Sequence, residues 1–304
     1  MRRAVYAAAA GACAAGAARL AYAAMNRRPP GGPKAWSRTN HRGEPVTLLE
    51  GPAVAAGAIA GALAQGVQAG LASASESPGS PGWRPAAAMV MGGAGAAAFG
   101  AYDDRAGSGD RRGFRGHLGA LRHGEVTTGA VKLGGIGITG IISAALAGVE
   151  DHVRGRAAGL VAGSANLLNL FDLRPGRAIK VAAVSGTLLG VAGQDGVAAP
   201  LGAALALLPE DLGERAMLGD AGANALGAML GVAAAGLSRP ARIVLLAGIA
   251  GLTAASEKVS FTKVIARTPA LNWLDMLGRR PPSQPPAPEP PPVTILAQQH
   301  EPAG

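Results

Sequence analysis

The chain reads as an all-α protein, a polytopic transmembrane helical bundle of about nine spans. Three observations predict that class. Apolar runs near bilayer-spanning length recur along most of the sequence. The composition is 49% hydrophobic but only 3% aromatic, with 47 glycines among 304 residues, and the mean hydropathy is +0.24. Small residues let helices approach closely in lipid, where van der Waals contact replaces the hydrophobic drive. Finally, the formal net charge of +9 is carried mostly on alternate connections, the pattern of basic loops on one side of a membrane.

Helices are expected at about 4–25, 51–73, 85–102, 126–149, 155–171, 178–194, 196–208, 221–237 and 241–256. The first, "MRRAVYAAAAGACAAGAARLAYAAM", has the basic start and small residues of a signal peptide. Its apolar region exceeds the usual signal core and further apolar segments follow, so it reads as the first membrane helix. The seventh, "AAPLGAALALLP", is short enough to be tilted or partly sunk. The only cysteine, Cys13, excludes an intramolecular disulfide and reads as a small packing residue.

The connections alternate in character. Segments 26–50, 103–125, 172–177, 209–220 and 257–280 are long or basic; those at 74–84, 150–154, near 195 and at 238–240 are short. Nineteen Lys and Arg flank the spans on the first face and seven on the other. The first face is therefore expected in the cytoplasm, with the N-terminus outside. Arg2 and Arg3 oppose that orientation. Arg19 and Lys132 lie inside expected spans, where they can snorkel toward the basic side. This placement favours a membrane over nucleic acid as the reason for the basic charge. Residues 1–280 form one membrane domain. Residues 281–304 are a tail whose "PPSQPPAPEPPPV" predicts polyproline II or disorder.

Three acidic clusters fall on the expected cytoplasmic face. "YDDRAGSGDRRGFRGH" carries Asp103 and Asp104, "NLLNLFDLRPGRA" carries Asn166, Asn169 and Asp172, and "MLGDAGANALG" carries Asp220. Asn166, Asn169 and Asp172 recur at three-residue spacing, which on a helix spans an arc of about 120°. Each cluster alone has an ordinary reading: solvated decoration, polar capping, or an Asp N-cap. Together, at three membrane boundaries on one face, their hard oxygen ligands suit Mg²⁺ with waters and substrate phosphates. The surrounding arginines suit phosphate oxygens. No Cys/His spacing suggests zinc, and no Walker loop or GxSxG elbow is present. "GGIGITG" lies in an expected span and reads as tight helix packing. The chemistry implied is phosphoryl transfer at a membrane surface.

With these motifs in order over roughly residues 20 to 256, the chain resembles the polyprenyl-phosphate N-acetylhexosamine-1-phosphate transferases, relatives of phospho-N-acetylmuramoyl-pentapeptide transferase. Asp103-Asp104 with "RRGFRGH" looks like the family's Asp-Asp motif and its downstream basic element; "NLLNLFD" looks like its Asn-x-x-Asn-x-x-Asp motif; "MLGDAGANALG" looks like its Gly-Asp-x-Gly motif. The resemblance implies an inner-membrane, Mg²⁺-dependent transferase in cell-envelope glycan synthesis. It would move a sugar-1-phosphate from a UDP-amino sugar to polyprenyl phosphate, releasing UMP. It implies Asp220 and Asn169 at the metal, and Asp103, Asp104 and Asp172 as catalytic acids. Asn166, Arg112, Arg115, Lys132 and Arg174 would contact substrate. The partners implied are the lipid phosphate, the UDP-sugar and the bilayer, with no nucleic acid and a homodimer left open. Two departures stand out. Where the family reads Asp-Gly-x-Asp-Gly, this chain reads "DLRPG", with Pro175 in place of the second acid and Arg174 beside it. The last basic loop, "SEKVSFTKVIARTPALNWLDMLGRRP", lacks the family's histidine, and part of it has the pattern of an amphipathic segment lying on the membrane. These departures favour the alternative reading, a non-catalytic relative that binds polyprenyl phosphate or partners a cell-envelope complex.

Overall fold

The computed structural model describes residues 2–76, 83–106, 119, 120, 122–148 and 151–281. Among these, eleven α-helices account for most of the chain, and the expected nine are all there. They are α1 (Arg2–Arg27), α2 (Glu50–Glu76), α3 (Arg84–Ala106), α4 (Thr128–Leu146), α5 (Asp151–Phe171), α6 (Arg177–Val191), α7 (Ala198–Leu212), α8 (Gly219–Ala234) and α9 (Arg239–Ser256). Two short helices follow, α10 (Phe261–Arg267) and α11 (Pro269–Met276). The proline-rich tail beyond residue 281 lies outside the described residues.

Alanine gives these segments their helix propensity, and side-chain caps define some of the ends. Thr127 caps α4 by accepting from the Ala130 amide at 3.1 Å. Helix α7 runs through Pro209 to Leu212, about one turn past the expected end at 208. Among the described residues three helices are long and apolar enough to cross a membrane, within Arg3–Arg27, Glu50–Ala72 and Thr128–Leu146. A fourth is added if α9 and α10, bent by 97° at their junction, count as one broken span. Helix α3 has the length, but Asp103, Asp104 and Arg105 make its end polar; α6, α7 and α8 have only 15, 15 and 16 residues.

Helix α8 is the centre of the bundle. Every residue from Gly219 to Ala234 is buried except Asp220, and a helix apolar all round belongs in a core. It packs most extensively on α5 and α3, while α1 packs on α2 and α7. Large apolar side chains are left exposed on the outer helices, including Leu63 and Val67 on α2, Ile138 and Ile141 on α4, Val184 and Leu188 on α6, and Val244 on α9.

The one sheet among the described residues, unforeseen in a segment expected as loop, is a small antiparallel hairpin of β1 (Ser37–Thr39) and β2 (Pro45–Thr47), with Arg38 opposite Val46. Asn40 shapes its turn, its side-chain oxygen accepting from the Arg42 and Glu44 amides at 2.8 and 2.9 Å. The hairpin is pinned to the segment before α8, where the Met217 amide donates to the Thr47 carbonyl at 3.0 Å. Segments 37–47, 172–176 and 211–218 and the stretch after α9 thereby gather at one end of the bundle, joined by Arg42–Glu214, Arg280–Glu44 and Arg177–Asp275 ion pairs.

Candidate functional site

The site begins with a close approach of two backbones. A Cβ at Gly100 would overlap the backbone of Asp220. Only a glycine there lets the end of α3 lie flat against the start of α8. One turn further along α3 come Asp103 and Asp104, which this contact delivers to the amino end of α8.

That helix end is held by two carboxylates from other elements. Asp104 accepts from the amides of Asp220 at 3.0 Å and Ala221 at 2.9 Å, and Asp172 accepts from the amide of Gly219. The first amides of a helix have no partner within it and carry its positive dipole end, so acids there are favourable. Gly219 itself has φ +58, a left-handed turn that glycine adopts without strain. Asp104 thus performs the capping that the sequence suggested for Asp220.

The Asp220 side chain is free for another contact. Lys132, from the first turns of α4, makes ion pairs with Asp220 and with Asp103, the latter at 2.7 Å. The two carboxyl groups also touch each other, and Thr128 adds a hydrogen bond to Asp103. Lys132 therefore does not snorkel; a charge carried into an apolar helix has met partners there. On the other side Arg38 donates to the Asp104 carbonyl, fastening the β-hairpin to α3.

Asp172 follows α5, its amide donating to the Asn169 carbonyl at 3.1 Å. Burial raises its carboxyl well above the ordinary range, and the negative charges of Asp211, Asp220 and Asp104 push the same way, against the Gly219 amide. Asp103, Asp104, Asp172, Asp220 and Lys132 are thus brought together around the start of α8. Asn166 and Asn169 lie half-buried on the last two turns of α5. Arg174 donates from its guanidinium to the Leu173 carbonyl at 2.8 Å and lines a cleft beside Asp172. Arg112 and Arg115 lie outside the described residues.

A cleft of about 90 Å³ opens beside Asp172. Asp172, Arg174, Pro175 and Asp211 line it together with His41 and Glu214. Sequence reasoning missed His41, Asp211 and Glu214. Glu214 is buried with φ +57, unusual for a non-glycine residue. Arg42 holds it at 2.9 and 3.1 Å and Asn40 at 2.9 Å, while His41 lies 3.8 Å away. Burial lowers the His41 imidazole below its ordinary value, against the pull of Glu214. The first loop thus places a histidine beside these acids. The available signal was "TNHRGEP", a histidine in a polar turn between short β-prone triplets. A third acid, Glu50 at the start of α2, acts on Asp211 and Asp172. It is 0% exposed, and neither carboxylate oxygen has a hydrogen-bond partner.

Among the described residues no three His, Cys, Asp or Glu side chains form a ready-made metal cage. The donor set at Asp103 and Asp220 suits a different kind of site. Two adjacent carboxylates, each partly accessible, match Mg²⁺, which takes few protein ligands and fills its shell with waters and phosphate oxygens. Lys132 holds the same two groups, so cation and lysine would share or exchange them. No protein-family model matches the chain, and no curated protein matches it.

Proposed function

We propose that the protein is a multi-pass membrane glycosyl-1-phosphate transferase, moving a sugar-1-phosphate from a UDP-amino sugar to polyprenyl phosphate with release of UMP. The observation that carries this reading is the gathering of Asp103, Asp104, Asp172, Asp220 and Lys132 at the amino end of α8. These are the acids on which the sequence resembles the transferase family. Positioning and electrostatics supply most of the catalysis in phosphoryl transfer, and an amino helix end with fixed charges around it offers both.

In this reading an oxygen of the lipid phosphate attacks the β-phosphorus of the nucleotide sugar. The new bond joins the two phosphates, the bond to the α-phosphate oxygen breaks, and UMP leaves. Asp103 and Asp220 would hold Mg²⁺, which supplies charge neutralisation at the diphosphate when bound. Lys132 fixes the two carboxylates and presents positive charge to phosphate. Asp104 sets the angle of α8 rather than touching substrate. The cleft with Asp172, Arg174 and His41 would take one ring of the nucleotide, its acids accepting from ring or ribose donors.

The membrane arrangement belongs to the same proposal. Nine helices α1–α9 would span the inner membrane, N-terminus outside, with the acidic end in the cytoplasm. The nineteen-to-seven split of basic residues supports that orientation. The short α8 is compatible with it because a helix buried on all sides meets no lipid, so bilayer thickness does not set its length. The exposed apolar side chains on α2, α4, α6 and α9 would face acyl chains. A second reading, a non-catalytic relative that binds polyprenyl phosphate, is favoured by Lys132, which already neutralises the carboxylates a metal would need. The deciding experiment is to incubate purified protein with Mg²⁺, polyprenyl phosphate and a panel of UDP-sugars. Formation of a lipid-diphosphate sugar supports the transferase; saturable lipid-phosphate binding without product supports the relative.

A further inference from the structure

Helices α10 and α11 form an elbow against α6. The chain turns by 97° after α9, so α10 lies nearly perpendicular to the preceding helix. If α9 crosses a bilayer, α10 lies close to its plane. The surface of the elbow suits an interface: Trp273 is 68% exposed and Leu271 and Leu277 are also exposed, while Lys258, Lys263 and Arg267 carry positive charge.

Beneath the elbow is an apolar groove of about 310 Å³, walled by Phe171, Val181, Val184, Ile265, Leu271 and Leu274. It continues along α6, through Val181 and Ser185, into a second groove of about 620 Å³. Phe171 stacks on Phe261 at a centroid distance of 5.2 Å, fixing the elbow over the groove.

The mouth of the groove is basic. Asp275 takes Arg177 at 2.7 and 3.0 Å and Arg279 at 2.8 Å. Lys180 donates to the backbone carbonyls of Leu274 and Asp275 at 3.1 and 2.6 Å. Arg174, Asp211 and, beyond them, Glu214 and Asp172 are the next charges out. At the groove itself three cations, Arg177, Lys180 and Arg279, thus gather on the single carboxylate of Asp275. The Arg279 side chain is mostly buried, and its Nε has no hydrogen-bond partner. A buried, undercompensated basic cluster opening onto an apolar groove is complementary to an amphiphile with an anionic head.

We propose that this groove binds an anionic glycerophospholipid of the surrounding bilayer, its phosphate at Lys180 and Arg279 and an acyl chain along α6. The site is separate from the Asp103–Lys132–Asp220 group, and the inference requires only that the bundle lies in a membrane, not that it is a transferase. The lipid would hold the elbow on α6 and so keep the stretch after α9 over the acidic end.

The test uses the full chain in vesicles of phosphatidylcholine alone or mixed with phosphatidylglycerol. Bound lipid is counted by native mass spectrometry, and the elbow is followed by hydrogen exchange over residues 261–279. Retention of phosphatidylglycerol over phosphatidylcholine should be about tenfold, on the scale of one to two basic contacts, with slower exchange in the mixed vesicles. Lys180→Gln with Arg279→Gln should abolish the preference. Val184→Trp, which fills the groove and leaves every charge in place, should reduce retention of both lipids. Added inorganic phosphate should not compete. Equal retention and exchange in both vesicles, persistence of the preference in the Lys180→Gln, Arg279→Gln variant, unchanged retention in Val184→Trp, or displacement by inorganic phosphate would overturn the proposal.

Discussion

Lys132 of α4 reaches the Asp220 carboxylate of α8 and, 2.7 Å away, the Asp103 carboxylate of α3. One ammonium thus ties three helices at the end of the bundle where the acids gather. Lys132→Ala leaves two touching carboxylates without their cation. We expect a loss of about 2 kcal/mol, less than for a fully buried pair because all three groups retain some solvent contact. Mg²⁺ should restore part of that loss, since the divalent ion can take the place of the ammonium. Thermal unfolding with chelator and with Mg²⁺ checks both statements. A silent substitution would mean that Lys132 is surface decoration.

Gly100→Ala should be more damaging than its one methyl group suggests. The added carbon meets the Asp220 backbone, and neither helix can move away without disturbing the amides held by Asp104. Overpacking of this kind costs about 1–3 kcal/mol, and any transferase activity should fall with it. The neighbouring Ala101→Gly, which loses helix propensity of about 1 kcal/mol and a methyl packed on the Trp36 cluster, gives the cost of a change that does not press on Asp220.

Much of this arrangement was legible in the sequence because its signals were local. Apolar runs gave nine helices, and acids at the ends of α3, α5 and α8 pointed to one face. The division of labour among them was not legible. That Asp104 caps α8 while Asp220 pairs with Lys132 depends on α3 and α8 meeting at Gly100, a contact between residues more than a hundred positions apart. His41, Asp211 and Glu50 were invisible for a related reason: each stands alone in a different loop or helix end, and only folding brings them near Asp172. The β-hairpin escaped because strands of three residues have too short a pattern to read. The elbow's two helices were half legible, as an amphipathic segment without a direction.

Glu50→Met should stabilise the protein. A fully buried carboxyl group with no hydrogen-bond partner is costly, and an apolar side chain of similar length removes both unpaired oxygens beside Asp172 and Asp211. The gain should be about 1–2 kcal/mol, read as a higher midpoint in thermal or denaturant unfolding. A loss of stability would show that the Glu50 charge has a partner, such as a bound cation.

The elbow should loosen in acid. Burial alone would raise the Asp275 carboxyl, but its hydrogen bond to Arg177 and the charges of Arg177, Arg279 and Lys180 outweigh it, so the folded value lies below the ordinary one. A depressed carboxyl contributes stability that is full above its unfolded value, about 3.9, and is lost as pH falls through the lower folded value. Proteolysis between residues 261 and 281 should therefore accelerate only below about pH 4, and Asp275→Asn should show the fast rate at neutral pH. Equal rates for the two proteins at neutral pH would remove Asp275 from this role.

The most direct test of the central claim is UMP release by wild type and Asp220→Asn, with and without Mg²⁺, in one reconstituted preparation containing polyprenyl phosphate and UDP-amino sugars. The amide preserves size but removes the full negative charge that Mg²⁺ and Lys132 both require. The account predicts Mg²⁺-dependent UMP release by the wild type and its loss in Asp220→Asn, with the variant still folded in the membrane. Wild-type rates and Mg²⁺ dependence in Asp220→Asn, or no UMP from any UDP-sugar with folded wild-type protein, would contradict it.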